Sequence, residues 1–140
     1  MGGRSLLVDS GPLYAYIDAD EPAHAACVEL LQAHQGPLVA PTLCVAETTY
    51  LLRTRLSSEA ELRFLGDLAS GAITLEPVHP ADLLRIAELV SRYRRLPLGT
   101  VDASIVAAAE RLEVTQLATL DRRDFSVVRP LHTEAFQLLP

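Results

Sequence analysis

Four acidic side chains stand where a carboxylate needs a reason: Asp9, Glu47, Asp102 and Asp121. Asp9 follows the apolar run Leu6-Leu7-Val8, which reads as a short buried strand. In open parallel sheets, ligands bind beyond the carboxyl ends of such strands. Glu47 shares a helical stripe with Leu43, Tyr50 and Leu51, so it is expected to be buried. A buried ion must be protonated, paired or bound to metal, because its desolvation costs several kcal/mol. Asp102 lies in the first turn of a helix expected to open at Thr100, and Asp121 closely follows another apolar run. Each acid also has an ordinary structural alternative. Asp9 or Ser10 can cap the next helix, and Glu47 can pair with an arginine. Asp102 gains about 0.3–1 kcal/mol from the helix dipole, and Asp121 with Asp124 can form an acidic capping pair. Together, however, three of the four fall at strand ends or helix starts on one edge of a sheet. Carboxylates gathered there repel one another unless cations lie among them. Oxygen donors without His or Cys select hard cations, Mg²⁺ or Mn²⁺. Two such ions about 3.5–4 Å apart suit in-line phosphodiester hydrolysis.

The elements that must position these acids are short strands alternating with helices. Strands are expected at 5–8, 38–40, 73–75 and 115–119, with Val127-Val128 as a further candidate. Helices are expected from Ser10, over 20–33, from Thr42 to about Arg53, and over 58–69 between Ser57 and Gly71. Two more are expected over 80–94 and 100–112. The former should turn Leu83, Leu84, Ala87 and Val90 inward, and the latter should be capped by Thr100. Such alternation means an α/β fold around a mainly parallel sheet. The tail from Pro130 reads equally as an edge strand or an irregular end.

Composition narrows the chemistry. A chain of 140 residues buries roughly 68–70% of its unfolded surface, enough for one core, so residues 1–140 are expected to form a single domain. Mean hydropathy is +0.21 and 49% of residues are hydrophobic, which excludes disorder. Apolar runs such as Ile105–Ala109 fall far short of the ~20 residues a membrane span needs, and no leader peptide is evident. Cys27 and Cys44 lack metal-ligand or disulfide-framework spacing, so a reducing, cytoplasmic setting is expected. All 12 basic residues are arginine. Without lysine there is no Schiff-base chemistry and no Walker-type phosphate loop. The net charge of −6 opposes nucleic acid binding unless divalent cations and local arginines reverse the field. The four histidines, at 24, 34, 79 and 132, fit no motif.

The order and spacing of four segments resemble PIN-domain ribonucleases, specifically the VapC-type toxins of bacterial toxin–antitoxin pairs. The segments are Leu7-Val8-Asp9-Ser10-Gly11-Pro12-Leu13, Pro41 with Val45-Ala46-Glu47, Gly99-Thr100-Val101-Asp102-Ala103-Ser104-Ile105-Val106-Ala107, and Thr119-Leu120-Asp121-Arg122-Arg123-Asp124-Phe125. The resemblance covers nearly the whole chain. It implies a three-layer α/β/α fold and a Mg²⁺-dependent endoribonuclease, Mn²⁺ being an alternative ion. Asp9, Glu47, Asp102 and Asp121 would be the acidic quartet, with Asp9 and Asp102 holding the metal. RNA products would carry a 5′-phosphate and a 3′-hydroxyl. A homodimer and a neutralising antitoxin partner are implied too. Thr119 matches the family's hydroxyl position, a water or phosphate contact, whereas Asp124 stands outside the core four.

Arg92, Arg94, Arg95, Arg122 and Arg123, and further off Arg53 and Arg55, are candidate RNA contacts, since arginine binds phosphate bidentately. Their alternative is solvated helix ends offsetting the dipole. Four Tyr and three Phe show no stacking array for single-strand binding. Rival readings are a catalytically degenerate PIN module acting as a scaffold, a flap nuclease and a Mg²⁺-dependent phosphatase. The last usually carries a second Asp two residues after the first, where this chain has Gly11. A serine hydrolase fails because there is no G-x-S-x-G.

Overall fold

A computed structural model describes residues 4–140. Five strands and seven helices alternate along the chain. β1 (Leu6–Val8) leads to α1 (Ser10–Ala15) and α2 (His24–Ala33), then β2 (Leu38–Pro41), α3 (Thr42–Arg55) and α4 (Ser58–Ser70). β3 (Thr74–Glu76) is followed by α5 (Pro80–Arg92) and α6 (Thr100–Leu112), then β4 (Gln116–Ala118), α7 (Arg122–Val127) and β5 (Gln137–Leu139). The strands form one wholly parallel sheet in the order β3-β2-β1-β4-β5.

That order locates the site. The chain moves outward from β1 through β2 to β3, then returns across to β4 and continues to β5. Right-handed crossovers therefore put α1–α4 on one face and α5–α7 on the other. The direction reverses between β1 and β4, and at such a switch point the loops diverge and leave a crevice beyond the strand ends. Asp9 ends β1 and the Thr119–Asp121 segment ends β4, side by side.

The core explains why the strands can be so short. Leu6, Leu7, Val8, Leu117 and Ala118 have no solvent exposure, as burial on both faces requires. α6 is buried almost all round: Ala103 through Ala109 are all buried. Its alanines let it lie close against its neighbours, and Ser104 satisfies its hydroxyl on the Val101 carbonyl at 2.6 Å. α5 is locked to α6 by charge. Arg85 makes a two-pronged pair with Glu110 at 2.7 and 2.8 Å, and Arg111 reaches both Asp82 and Glu76 at 3.0 and 2.8 Å. Two glycines are obligatory. Gly71 ends α4 at φ 84°, and a Cβ on Gly36 would overlap the Arg4 carbonyl oxygen.

Two helix faces differ from the sequence expectation for a shared reason. In α5 the inward residues are Asp82, Ile86 and Leu89, while Leu83 and Leu84 are 58% and 74% exposed and Ala87 is also exposed. In α3 they are Cys44, Thr48 and Leu52, so Glu47 and Tyr50 face outward. Each buried stripe contains a satisfied polar residue. Asp82 is paired with Arg111, and Thr48 bonds the Cys44 carbonyl at 2.7 Å. A polarity pattern alone turns such a helix by one position.

Other differences are local. Residues 18–23 form turns held by Asp18, whose carboxylate accepts from the Asp20 amide, so α2 starts later than expected. Gly99, not Thr100, is the N-cap of α6, with no side-chain bond. Val127-Val128 is no strand; Val127 ends α7, which Asp121 caps. The edge strand comes from the tail instead. Among the described residues, no helix is long and apolar enough to cross a membrane. Both cysteines are buried free thiols.

Candidate active site

Asp9, Ser10, Gly11, Glu47, Asp102, Leu120 and Asp121 line one open cavity of about 460 Å³ at the β1/β4 crevice. All four acids singled out from the sequence thus share one cup, though they come from four different parts of the chain. β1 delivers Asp9, the loop after β4 delivers Asp121, and α3 and α6 bring Glu47 and Asp102.

Asp9 is 6% exposed and held by donors on both oxygens. Oδ1 accepts from the Ser10 amide at 2.7 Å and lies 3.9 Å from the Cys44 thiol. Oδ2 accepts from the Thr119 hydroxyl at 2.9 Å. Burial raises its pKa, and the Glu47 charge adds to this, against the lowering by its hydrogen bonds to Thr119 and Ser10. Thr119 has no exposure, and its oxygen also accepts from the Asp121 amide at 3.0 Å. It therefore ties the end of β1 to the loop after β4. This corrects the expected phosphate or water contact, because the hydroxyl is committed inside the protein.

Glu47 is exposed at the rim rather than buried. It accepts from the Ser10 hydroxyl at 2.5 Å. Ser10, expected only to cap, thus links two of the acids, while the cap of α1 is Asp9 itself. Asp121 caps α7 by accepting from the Asp124 amide at 3.2 Å.

Among the acids of the cup, Asp102 is the one whose shift is large. Its pKa is pushed up to about 7, first by burial, then by the charges of Asp9, Asp121, Asp124 and Glu47. Asp124 is also raised, by desolvation and then by Asp121, against a lowering by Arg123. Burial drives the Cys44 thiol far above its ordinary range, and Asp9, Glu47 and Asp102 push it further. None of these five acids has an arginine or histidine within 4.0 Å among the described residues. The alternative of separate arginine pairs is therefore not what the fold contains.

Carboxylate oxygens of Asp102, Asp121 and Asp124 all lie within 4.8 Å of one another. Three hard oxygen donors at that spacing, with no nitrogen or sulfur among them, fit a small divalent cation. The tightest group thus includes Asp124, which the sequence reading set outside the core, and does not include Asp9. The missed signal was present as the Asp121/Asp124 spacing, which also describes a helix cap.

Of the candidate RNA contacts, Arg122 and Arg123 open α7 directly after Asp121, and both are exposed. Arg92, Arg94 and Arg95 are exposed at the end of α5 and in the loop that leads to α6. Arg53 is 3.9 Å from Glu61, and it and Arg55 lie in the last turn of α3, away from the cup-facing Glu47. The histidines bond to backbone carbonyls or lie at helix starts: His24 to Ala15, His34 to Arg4, His132 to Val114, with His79 capping α5.

Comparison with known proteins agrees with this geometry. The PIN domain family matches residues 6–129. Ribonuclease VapC26 of Mycobacterium tuberculosis is 38% identical over 135 residues, covering 96% of this chain and 100% of the relative. Among solved structures, Mycobacterium tuberculosis VapC20, a sarcin–ricin loop cleaving toxin, superposes with TM-score 0.82 at 19% identity. That match covers 92% of this chain and 98% of the other. VapBC2 from Rickettsia felis, bound to a DNA fragment from its promoter, gives TM-score 0.72 at 16% identity over 97% and 99% of the two chains. Fold, acidic cup and sequence relationship together show that this chain belongs to the PIN-domain family, among its VapC-type members.

Proposed function

We propose that this protein is a Mg²⁺-dependent endoribonuclease and the toxin of a toxin–antitoxin pair. The observation that carries the reading is the cup itself: five carboxylates with no arginine or histidine within 4.0 Å among the described residues, one of them pushed up to about 7. The kinship with a ribonuclease supplies the substrate class.

Asp102, Asp121 and Asp124 would hold the ion, with Asp9 and Glu47 beside them. When bound, the ion would supply Lewis-acid activation of water and charge stabilisation at phosphorus. The protein's own part is to hold the carboxylates in place. Thr119 and the Ser10 amide hold Asp9, the Ser10 hydroxyl holds Glu47, and the α7 cap holds Asp121. No histidine is required as a base. Arg92, Arg94, Arg95, Arg122 and Arg123 would meet RNA phosphates. An antitoxin arginine entering the anionic cup would stand in for the cation, so antitoxin and Mg²⁺ should compete. Homodimerisation and a cytoplasmic location complete the proposal.

The test is cleavage of total cellular RNA by wild-type protein with Mg²⁺, with EDTA, and by Asp102→Asn. The reading expects defined new 5′ ends with wild type and Mg²⁺ alone. Equal cleavage by Asp102→Asn, or none by wild type, would overturn it; the latter would favour the scaffold alternative.

A further inference from the structure

Half of the arginines lie in two segments that flank acids of the cup along the chain. Arg122 and Arg123 follow Asp121 at the start of α7, and Arg129 follows its end. Arg92, Arg94 and Arg95 lie at the end of α5 and in the loop before α6, whose first turn carries Asp102. The two groups are physically joined: the Arg129 amide donates to the Tyr93 hydroxyl at 3.0 Å. All six side chains are exposed, and among the described residues none has an Asp or Glu carboxylate within 4.0 Å. Arg53, Arg85 and Arg111, by contrast, are spent on internal acids.

Several of the six are pre-oriented by contacts within the protein. Arg122 bonds the Leu138 carbonyl and a main-chain oxygen of the terminal Pro140, Arg94 bonds the Ser91 carbonyl and hydroxyl, and Arg129 bonds the Ser126 carbonyl at 3.1 Å. The Arg92 guanidinium lies 5.9 Å from the centre of the Tyr93 ring. These contacts take up some of the five N–H donors of a guanidinium and leave the others for a phosphate. In a chain of net charge −6, the six are an unusual local excess of cation. It lies beside a cup that would otherwise repel a polyanion.

Resting on the ribonuclease reading, we propose that these arginines form one phosphate track, closed into a continuous path by Arg129 and Tyr93. RNA then enters the cup from the α7 rim and not from the α3 rim. α7 spans about 9 Å at ~1.5 Å per residue, which sets the length of the track beyond Asp121. Arg129 is a binding residue in this scheme, and Tyr93 is a positioning residue that acts through it.

The test uses a short fluorescein-labelled single-stranded RNA and the Asp102→Asn protein, read by anisotropy across a KCl series. Arg94→Gln with Arg129→Gln should lower the slope of log affinity against log salt by about 0.7 per arginine and weaken binding several-fold. The charge-matched control, Arg4→Gln with Arg63→Gln, should leave the slope unchanged. Tyr93→Phe keeps every charge, so it should weaken binding while the slope holds, a result that mere loss of charge would not give. Circular dichroism and the urea midpoint should be the same in all. Equal slopes for the two arginine pairs would overturn the track, as would a lost affinity for antitoxin with RNA binding intact. Cleavage by the wild-type chain is scored separately. A track that fails while cleavage persists is thus distinguished from a failure of the nuclease reading.

Discussion

Neutralising Asp102 should stabilise the metal-free protein, and only at pH values where the cup is crowded with charge. The Asp102 carboxyl moves from 3.8 in the unfolded chain to about 7 in the fold. At about 1.4 kcal/mol per pH unit this is about 4 kcal/mol. The group is only partly withdrawn from water, so screening reduces the figure to about 2 kcal/mol. The sign follows from linkage. Below pH 4 both states hold the proton and nothing is lost. Between about 4 and 7 the unfolded chain releases it and the folded chain does not, so stability falls as pH rises, fully so above 7. Asp102→Asn has no such proton. In EDTA, its stability advantage should grow by about 2 kcal/mol from pH 4 to pH 8, or roughly 5–8 °C in Tm for a chain of this size. Relief of repulsion on Asp9 and Asp124 acts in the same direction. Saturating Mn²⁺, at about 100 times Kd, should reverse the order by adding about 2.7 kcal/mol to wild type alone. Urea and thermal unfolding at the two pH values measure all of this. A constant difference between the proteins at pH 4 and 8 would refute the electrostatic reasoning.

Thr119→Val keeps the shape but strips the hydroxyl from Asp9 and from the Asp121 amide, so it should cost about 1–3 kcal/mol in urea unfolding and slow Mg²⁺-dependent cleavage. An unchanged urea midpoint would show the bridge to be idle. Arg111→Gln should cost about 2 kcal/mol at pH 7, discounted from the cost of a fully buried pair because Arg111 is partly exposed. Burial acts to raise Asp82, but its bonds to Arg111 hold it below its usual value, so this stability is present above pH ~4 and lost as pH falls further. A penalty that stays constant into acid would contradict that account. Cys44 should resist iodoacetamide at pH 8 until denaturant opens the core, because its thiol is buried and pushed far up; rapid labelling of the native protein, read by mass spectrometry, would contradict its placement.

Much of this architecture could be read from residue order. Short apolar stretches at Leu6–Val8 and Leu117-Ala118 meant parallel strands buried on both faces, and acids just beyond them meant a crevice. What misled was burial of polar groups with hidden partners. Asp82 and Thr48 face inward because Arg111 and a helix carbonyl satisfy them, and neither partner is visible from polarity along the helix. Glu47 was consequently placed one position too deep. Ser10 and Asp124 looked like capping residues, which is what their sequence neighbours alone explain. Only tertiary contact shows Ser10 bonded to Glu47 and Asp124 grouped with Asp102. Arg129 and Tyr93, 36 residues apart, had no local signal at all.

The most direct measurement is a crystal of the protein soaked in Mn²⁺, with anomalous difference density calculated at the manganese edge. The account predicts a peak inside the cup, coordinated by oxygens of Asp102 and Asp121. A well-ordered cup that stays without a peak, at a Mn²⁺ concentration that supports RNA cleavage, would contradict it.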